Sequence, residues 1–381
     1  VAKRLVAGVG RTVSHVAADE FALMVPGDLA HGHRTAERVA SALGQPLEAP
    51  AGPVHLTCSI GIAHYPEHGS RPLLMPNAVL AMRSVKLAGG AAQAEYEPQM
   101  GVGVREQAAL LHDLRQALER REFELFYQPK IDAKSLQVTA AEALLRWRHP
   151  QRGMVSPAVF IPLAERHGLI GAIGQWVMEE ACRQAAQWRE RGLRMRVAVN
   201  ISGYQMRQDD IVDRIEASLS AHRIPPGRFT CEITETVAME DTRATQLAFE
   251  RLRQVGVHVS IDDFGTGHSS LATLRRLPAA ELKIDRAFVS DLGDSPDALA
   301  IATAIVQMAH SLELRVVAEG VETTTQRDHL IALGCDELQG YLFAKPMTAA
   351  ALQLWAMNDE REHGPNFSPS LFQDTVPSDA T

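Results

Sequence analysis

The chain has 381 residues, room for two or three domains at the usual roughly 100–200 residues each. Hydrophobic residues make up 46% and charged residues 22%, ordinary values that exclude a mostly disordered chain. With 38 basic against 46 acidic residues the net charge is −8, which excludes broad binding to a nucleic-acid polymer without a local basic patch and leaves room for a small anion held through metal ions.

Residues 1–100 read as a small α/β unit. A helical opening runs to about Gly10, followed by a hairpin-like VAADEFALMV, a helix over Arg34 to Leu43, the strand HLTCSIGIAHY, a second helix from about Leu73 to Leu87, and an Ala- and Gly-rich exit, LAGGAAQAEYEP. In residues 101–120, ALLHDLRQALER places apolar residues at helical spacing and predicts a connector helix over Arg105 to Arg120. From 121 to 358 strand and helix signals alternate. The strand candidates are FELFYQPKI, QVTAAEALLRW, MRVAVNIS, FTCEITET, HVSIDDFG, AELKID, LRVVAEGV and DELQGYLFA. Helical stretches such as IGQWVMEEACRQAAQWRERG and ALAIATAIVQMAHSLE lie between them, so the expected fold class is α/β, a (β/α)8 TIM-like barrel. The loop after FELFYQPKI is too short for a parallel crossover, which takes about a dozen residues, so the first strand is expected to pair antiparallel with the second. Residues 359–381 are polar with scattered prolines and read as a disordered tail.

No apolar stretch reaches the roughly 18 residues of a membrane span, and no signal segment opens the chain. Cys58, Cys182, Cys231 and Cys335 show no zinc or CxxC spacing and read as buried free thiols of a reducing compartment. A cytoplasmic location is the expectation. The start at Val1, without methionine, leaves open a longer parent with a sensor or membrane region.

The strand candidates keep ending on acids or amides: Glu142, Asn200, Glu232, Asp262 with Asp263, and Glu319. In a parallel barrel the C-terminal strand ends converge on one rim, however distant in sequence. Two carboxylates about 4 Å apart repel by roughly 4 kcal/mol at an effective dielectric near 20. Five such acids in one mouth call for hard divalent cations on oxygen ligands. Any one of them alone is an ordinary loop or cap residue; the pattern is carried by the set. His149 and His310 read as packing or surface residues.

FYQPK, EALLRW, NIS, EITET, IDDFGTG, LKID, AEGVE and QGYLFAKP occur in that order, and the stretch from about 105 to 358 closely resembles the EAL family of cyclic di-GMP phosphodiesterases. The resemblance implies hydrolysis of cyclic di-GMP to linear pGpG with two divalent cations, Mg2+ or Mn2+, and a homodimer formed through the EAL domain. Glu142, Asn200, Glu232 and Asp262 match the family's metal ligands, and Asp263 matches a ligand of the second ion. Lys283 matches the lysine beside the attacking water, and Glu319 the glutamate that serves as general base or ligand. Arg146 would face a substrate phosphate, Gln128 and Gln339 would hold the nucleotide, and Glu322 matches an acid near the second metal, on the substrate side. Glu235 resembles the residue that anchors the loop DFGTGHSS, in which His268 stands where the family often has tyrosine.

The first 100 residues resemble the second half of a GGDEF diguanylate cyclase domain. Ala17-Ala18-Asp19-Glu20-Phe21 occupies the signature, and Ser59-Ile60-Gly61-Ile62-Ala63 matches a later strand. Alanines replace the two glycines that would let the backbone approach GTP. The segment that would carry the other metal-binding acid is absent, and Gly8 and Arg11 stand where the RxxD inhibitory motif belongs. A truncated, degenerate domain without cyclase activity is expected. The rivals to a phosphodiesterase are a catalytically silent receptor for cyclic di-GMP and a regulatory scaffold.

Overall fold

A capped helix starts where its cap sits: Asp28 accepts a hydrogen bond from the His31 N–H at 2.8 Å, so the helix expected over Arg34 to Leu43 runs Leu29–Gly44 and begins earlier. The computed structural model describes residues 2, 4–5, 13–17, 19–49, 52–54, 56–240, 242–265, 271–293 and 295–357. They fall into two units, Val1–Asp113 and Leu114–Thr381. Most of the expected opening helix, Ala18 of the signature, residues 266–270 and the expected tail lie outside the described residues.

In the first unit β1 (Val13–Ala17) and β2 (Glu20–Leu23) form the expected antiparallel hairpin. Next come β3 (Leu47–Ala49) with β4 (Gly52–Val54), and β5 (Ile60–Ile62), which pairs parallel with β6 (Gln93–Glu95) across the helix Arg71–Leu87. The long strand expected in HLTCSIGIAHY shrinks to β5 because its partner, itself inside the expected exit loop, is only three residues long. Leu5, Val39 and Leu43 form a small core with Phe21, Leu23 and Ile60 packed against it. The connector helix runs Met100–Ala117.

The second unit is a closed barrel. Its strands are β7 (Phe123–Asp132), β8 (Val138–His149), β10 (Arg196–Asn200), β11 (Phe229–Thr234), β12 (His258–Phe264), β13 (Glu281–Ile284), β14 (Arg315–Ala318) and β15 (Glu337–Leu338); β9 (Gly153–Val155) pairs antiparallel with β8, and β16 (Met347–Thr348) antiparallel with β7. As the short loop requires, β7 is antiparallel to β8, and also to β15, while the strands from β8 round to β15 are parallel. The short flanking strands β9 and β16 were not foreseen. DELQGYLFA was expected as one strand but pairs only over β15. The chain turns away at Gly340, where a Cβ would lie 2.1 Å from the Val321 carbonyl oxygen, so Gln339 and Gly340 lie directly against the loop after β14.

Helices cover the barrel by burying their apolar stripes on it. Ile170–Glu190 buries Ile173, Val177, Met178 and Trp188, and Trp188 meets Tyr127 of β7 edge-on at 4.8 Å between centroids. Cys182, Cys231 and Cys335 are buried free thiols as expected, whereas Cys58 is half-buried. Among the described residues no helix is long and apolar enough to cross a membrane.

Candidate active site

Side chains alternate along a strand, so residues two apart point to the same face and stack in layers inside a barrel. Glu281 and Lys283 share β13, Arg196 and Asn200 share β10, and Gln128 and Lys130 share β7. One layer holds the strand-end acids; the layer beneath it is a buried network of alternating charge.

Lys283, 1% exposed, is the centre of the upper layer. Its Nζ lies 2.6 Å from Glu319 Oε1, 3.0 Å from Asp262 Oδ2, 3.1 Å from Glu232 Oε2 and 3.6 Å from Glu142 Oε2. Glu142 is also held by amides: Asn200 donates to Oε1 at 2.8 Å and Gln339 to Oε2 at 2.7 Å. Gln339 donates at 3.3 Å to Gln128, which in turn donates to the Ala344 carbonyl at 3.1 Å. Asp263 reaches the same place through a local irregularity. The β12–β13 register shifts between Ile261 and Phe264, and Asp263 takes φ +55, a left-handed conformation that Asp tolerates better than most residues. Two consecutive acids of one strand therefore lie together: carboxylate oxygens of Asp262, Asp263 and Glu319 lie within 4.8 Å of one another, close enough that they could hold a metal ion.

One ammonium among so many carboxylates leaves the charge unbalanced. Burial would lower the pKa of Lys283, but Asp262, Glu142, Glu232 and Glu319 drive it well above its ordinary value. Burial would likewise raise Glu142, yet Lys283 holds it below the usual carboxylate range. Glu232 and Asp263 are raised, by burial first and then by the neighbouring Glu142 and Asp262 respectively. Glu319 is pushed up to about 8 by burial, with Asp262 and Glu142 adding to the shift and Lys283 opposing it.

The lower layer explains how Glu232 is supported. Lys130, fully buried, donates to Glu232 Oε1 at 2.6 Å and to Glu281 Oε1 at 3.0 Å. Ser260 donates to Glu281 at 2.9 Å, and Arg196 joins Glu281 at 3.5 Å to Glu337. Both oxygens of Glu232 are thus taken, one by each buried lysine. Sequence reading missed Lys130, although it lies two residues past Gln128 and so shares its face.

A cavity of about 270 Å3 opens on the upper layer. Gln128, Glu142, Asp262, Lys283, Glu319 and Gln339 line it. Glu322 also lines it, paired with Arg286 at 2.8 Å rather than placed among the clustered acids. Arg286 and Tyr341, neither foreseen, line it as well. Arg146 is not among the lining residues; it donates to the Leu145 carbonyl at 2.9 Å and stacks over Phe126. Glu235 Oε2 accepts from the Gly265 N–H at 2.7 Å, at the start of the loop it was expected to anchor.

A family profile described as EAL domain matches residues 111–346, more than half of the chain. The chain belongs to the EAL domain family. Among its EAL relatives, the bifunctional diguanylate cyclase/cyclic di-GMP phosphodiesterase MucR of Pseudomonas aeruginosa is 44% identical over 360 residues, 92% of this chain and 52% of MucR. Cyclic di-GMP phosphodiesterase PdeR of Escherichia coli is 38% identical over 321 residues, 84% of this chain and 48% of PdeR. The chain spans about half the length of these curated relatives. Among solved structures, PaMucR phosphodiesterase in complex with c-di-GMP superposes with a TM-score of 0.62 at 49% identity, covering 64% of this chain and 99% of that one.

Proposed function

We propose that this EAL chain hydrolyses one 3',5'-phosphodiester of cyclic di-GMP to linear pGpG, using two divalent cations, Mg2+ or Mn2+. The observation that carries the reading is Lys283 held among four carboxylates, from β8, β11, β12 and the residue just past β14, beside a cavity flanked by Gln128 and Gln339. The names of MucR and PdeR and the ligand in the PaMucR structure support the substrate.

The donor set fits hard cations. It is all oxygen, it brings Asp262, Asp263 and Glu319 within ligand reach of one another, and burial, with the neighbouring carboxylates adding to it, raises Asp263 and Glu319. Glu142, Asn200, Glu232 and Asp262 would hold one ion, and Asp263 would serve the second. When bound, the ions supply the Lewis acidity that activates water and stabilises charge on the phosphoryl oxygens. Glu319 would take the proton of the attacking water and Lys283 would orient that water and the developing charge, a division of roles supported by the contact of Glu319 Oε1 with Lys283 Nζ. Gln128 and Gln339 orient the nucleotide, and Arg146, two residues past the lining residue Leu144, contributes charge to a phosphate. Glu322 belongs to the substrate side of the cavity, and Glu235 anchors the loop that begins at Gly265.

Incubating the chain with cyclic di-GMP and Mg2+ or Mn2+, then resolving the products, tests the reading. Release of pGpG is expected; binding without turnover in either metal would identify the silent receptor instead. The N-terminal unit is proposed to be a degenerate GGDEF-like remnant. GTP should yield no cyclic di-GMP with the native chain or with the Ala17→Gly, Ala18→Gly variant. We further propose a cytoplasmic location, supported by the free cysteines, and a homodimer through the EAL unit, which light scattering in solution would check.

A further inference from the structure

Arg286 and Glu322 meet beside the cavity without being absorbed by the acid cluster. Arg286 opens the short helix Arg286–Val289 just after β13, where Asp285 fixes the backbone by accepting from the Ala287 N–H at 2.8 Å. Its stem crosses Gly320, whose φ is +68 and where a Cβ would lie 2.3 Å from Arg286 Cγ, so a side chain at that position would displace the arginine. The guanidinium ends on Glu322, Nη2 to Oε1 at 2.8 Å, with the two side chains 61% and 41% exposed. Among the described residues lining the cavity the cations are Lys283 and Arg286. Lys283 is buried and engaged by four carboxylates, which leaves Arg286 as the exposed one.

We propose that Arg286 binds the phosphate of the substrate that is not cleaved, with Glu322 as a positioning residue that holds the guanidinium over the cavity until the phosphate arrives. The inference rests on the functional reading above. A cyclic dinucleotide carries two phosphodiester anions; that reading directs one to the acid and lysine cluster and to Arg146, which lies outside the cavity lining, and the other requires a cation of the lining itself. Glu322 alone would repel it. An exposed ion pair is worth about 0–1 kcal/mol, so exchanging the carboxylate for a phosphate loses little, and the planar guanidinium fork matches phosphate oxygens.

Steady-state kinetics with cyclic di-GMP, paired with calorimetric titration of Mn2+, test this on the full chain. Arg286→Ala is expected to raise KM about ten-fold or more, the range for a lost charge-assisted hydrogen bond. kcat should change less, Mn2+ affinity should hold, and Arg286→Lys should recover part of KM. Glu322→Gln should raise KM by a smaller factor, and the double variant should be no worse than Arg286→Ala alone, because the two residues act as a unit. A native KM in Arg286→Ala overturns the proposal, as does weakened Mn2+ binding in Glu322→Gln, which would make Glu322 an ion ligand. A native chain that neither binds nor cleaves cyclic di-GMP would sink the functional reading itself. Cleavage by the native chain with a KM indifferent to Arg286 would sink this inference alone.

Discussion

Asp262 and Asp263 show how a single backbone irregularity assembles chemistry. On a regular strand they would face opposite sides; the register shift and the positive φ at Asp263 bring both to the rim. Asp262→Asn removes a charge that faces Lys283 at 3.0 Å, and is expected to lower kcat by about 100-fold or more and to weaken divalent-ion binding, measured by single-turnover hydrolysis and by calorimetry. Glu319 gives a pH prediction. Its carboxyl, raised to about 8 in the ion-free chain, holds a proton that the unfolded chain releases near its ordinary value of 4.5. Its contribution to stability is therefore fully present below about pH 4.5 and is lost as pH rises to about 8 and beyond. Uptake of divalent ions near neutral pH should release protons, and Glu319→Gln should remove part of that release. Calorimetry in two buffers of different ionisation enthalpy measures it; a proton count equal to that of the native chain would rule it out.

At the scale of elements, β7 matters because it is reversed. Its direction follows from a loop too short to cross over, and it brings Lys130 beneath Glu232 and Gln128 beside Gln339. Lys130→Met would leave Glu232 and Glu281 without a shared cation in the interior. Breaking a buried pair in this way destabilises by about 3 kcal/mol. Urea unfolding should show that loss, with weaker Mn2+ binding as Glu232 loses one of its two anchors. Gly340 is the second structural constraint. A methyl group there meets the Val321 backbone, so Gly340→Ala should move Gln339 away from Glu142 and raise KM, with a lower melting temperature as the accompanying sign.

On the scale of the whole molecule, the chain combines a barrel with its own extensive core and a small N-terminal unit built on a few buried residues. A fragment beginning at Leu114 should keep a cooperative thermal transition and the turnover of the full chain. A fragment that unfolds, or is inactive while folded, would assign the N-terminal unit a part in forming the site. The PaMucR structure, matched over 99% of its length by 64% of this chain, is consistent with a barrel that stands alone.

The sequence by itself determined the alternation of strands and helices, the reversal of β7 and the identity of the strand-end acids. Those are consequences of periodicity, loop length and the rule that parallel strand ends share a rim. Glu232, Asp262 and Glu319 were legible for that reason, each a carboxyl near the end of an apolar run, whereas Glu142 stands inside the long strand β8 and was legible through its motif. Strand length was less legible, because pairing stops where the partner stops: β5 and β15 are shorter than their apolar runs. Lys130, Arg286 and Tyr341 were decided by tertiary structure alone. A lysine within a strand, an arginine after one and a tyrosine in a loop carry no local mark of their partners. Which carboxylate each cation meets depends on register across strands far apart in the chain, and only closure of the barrel sets that register.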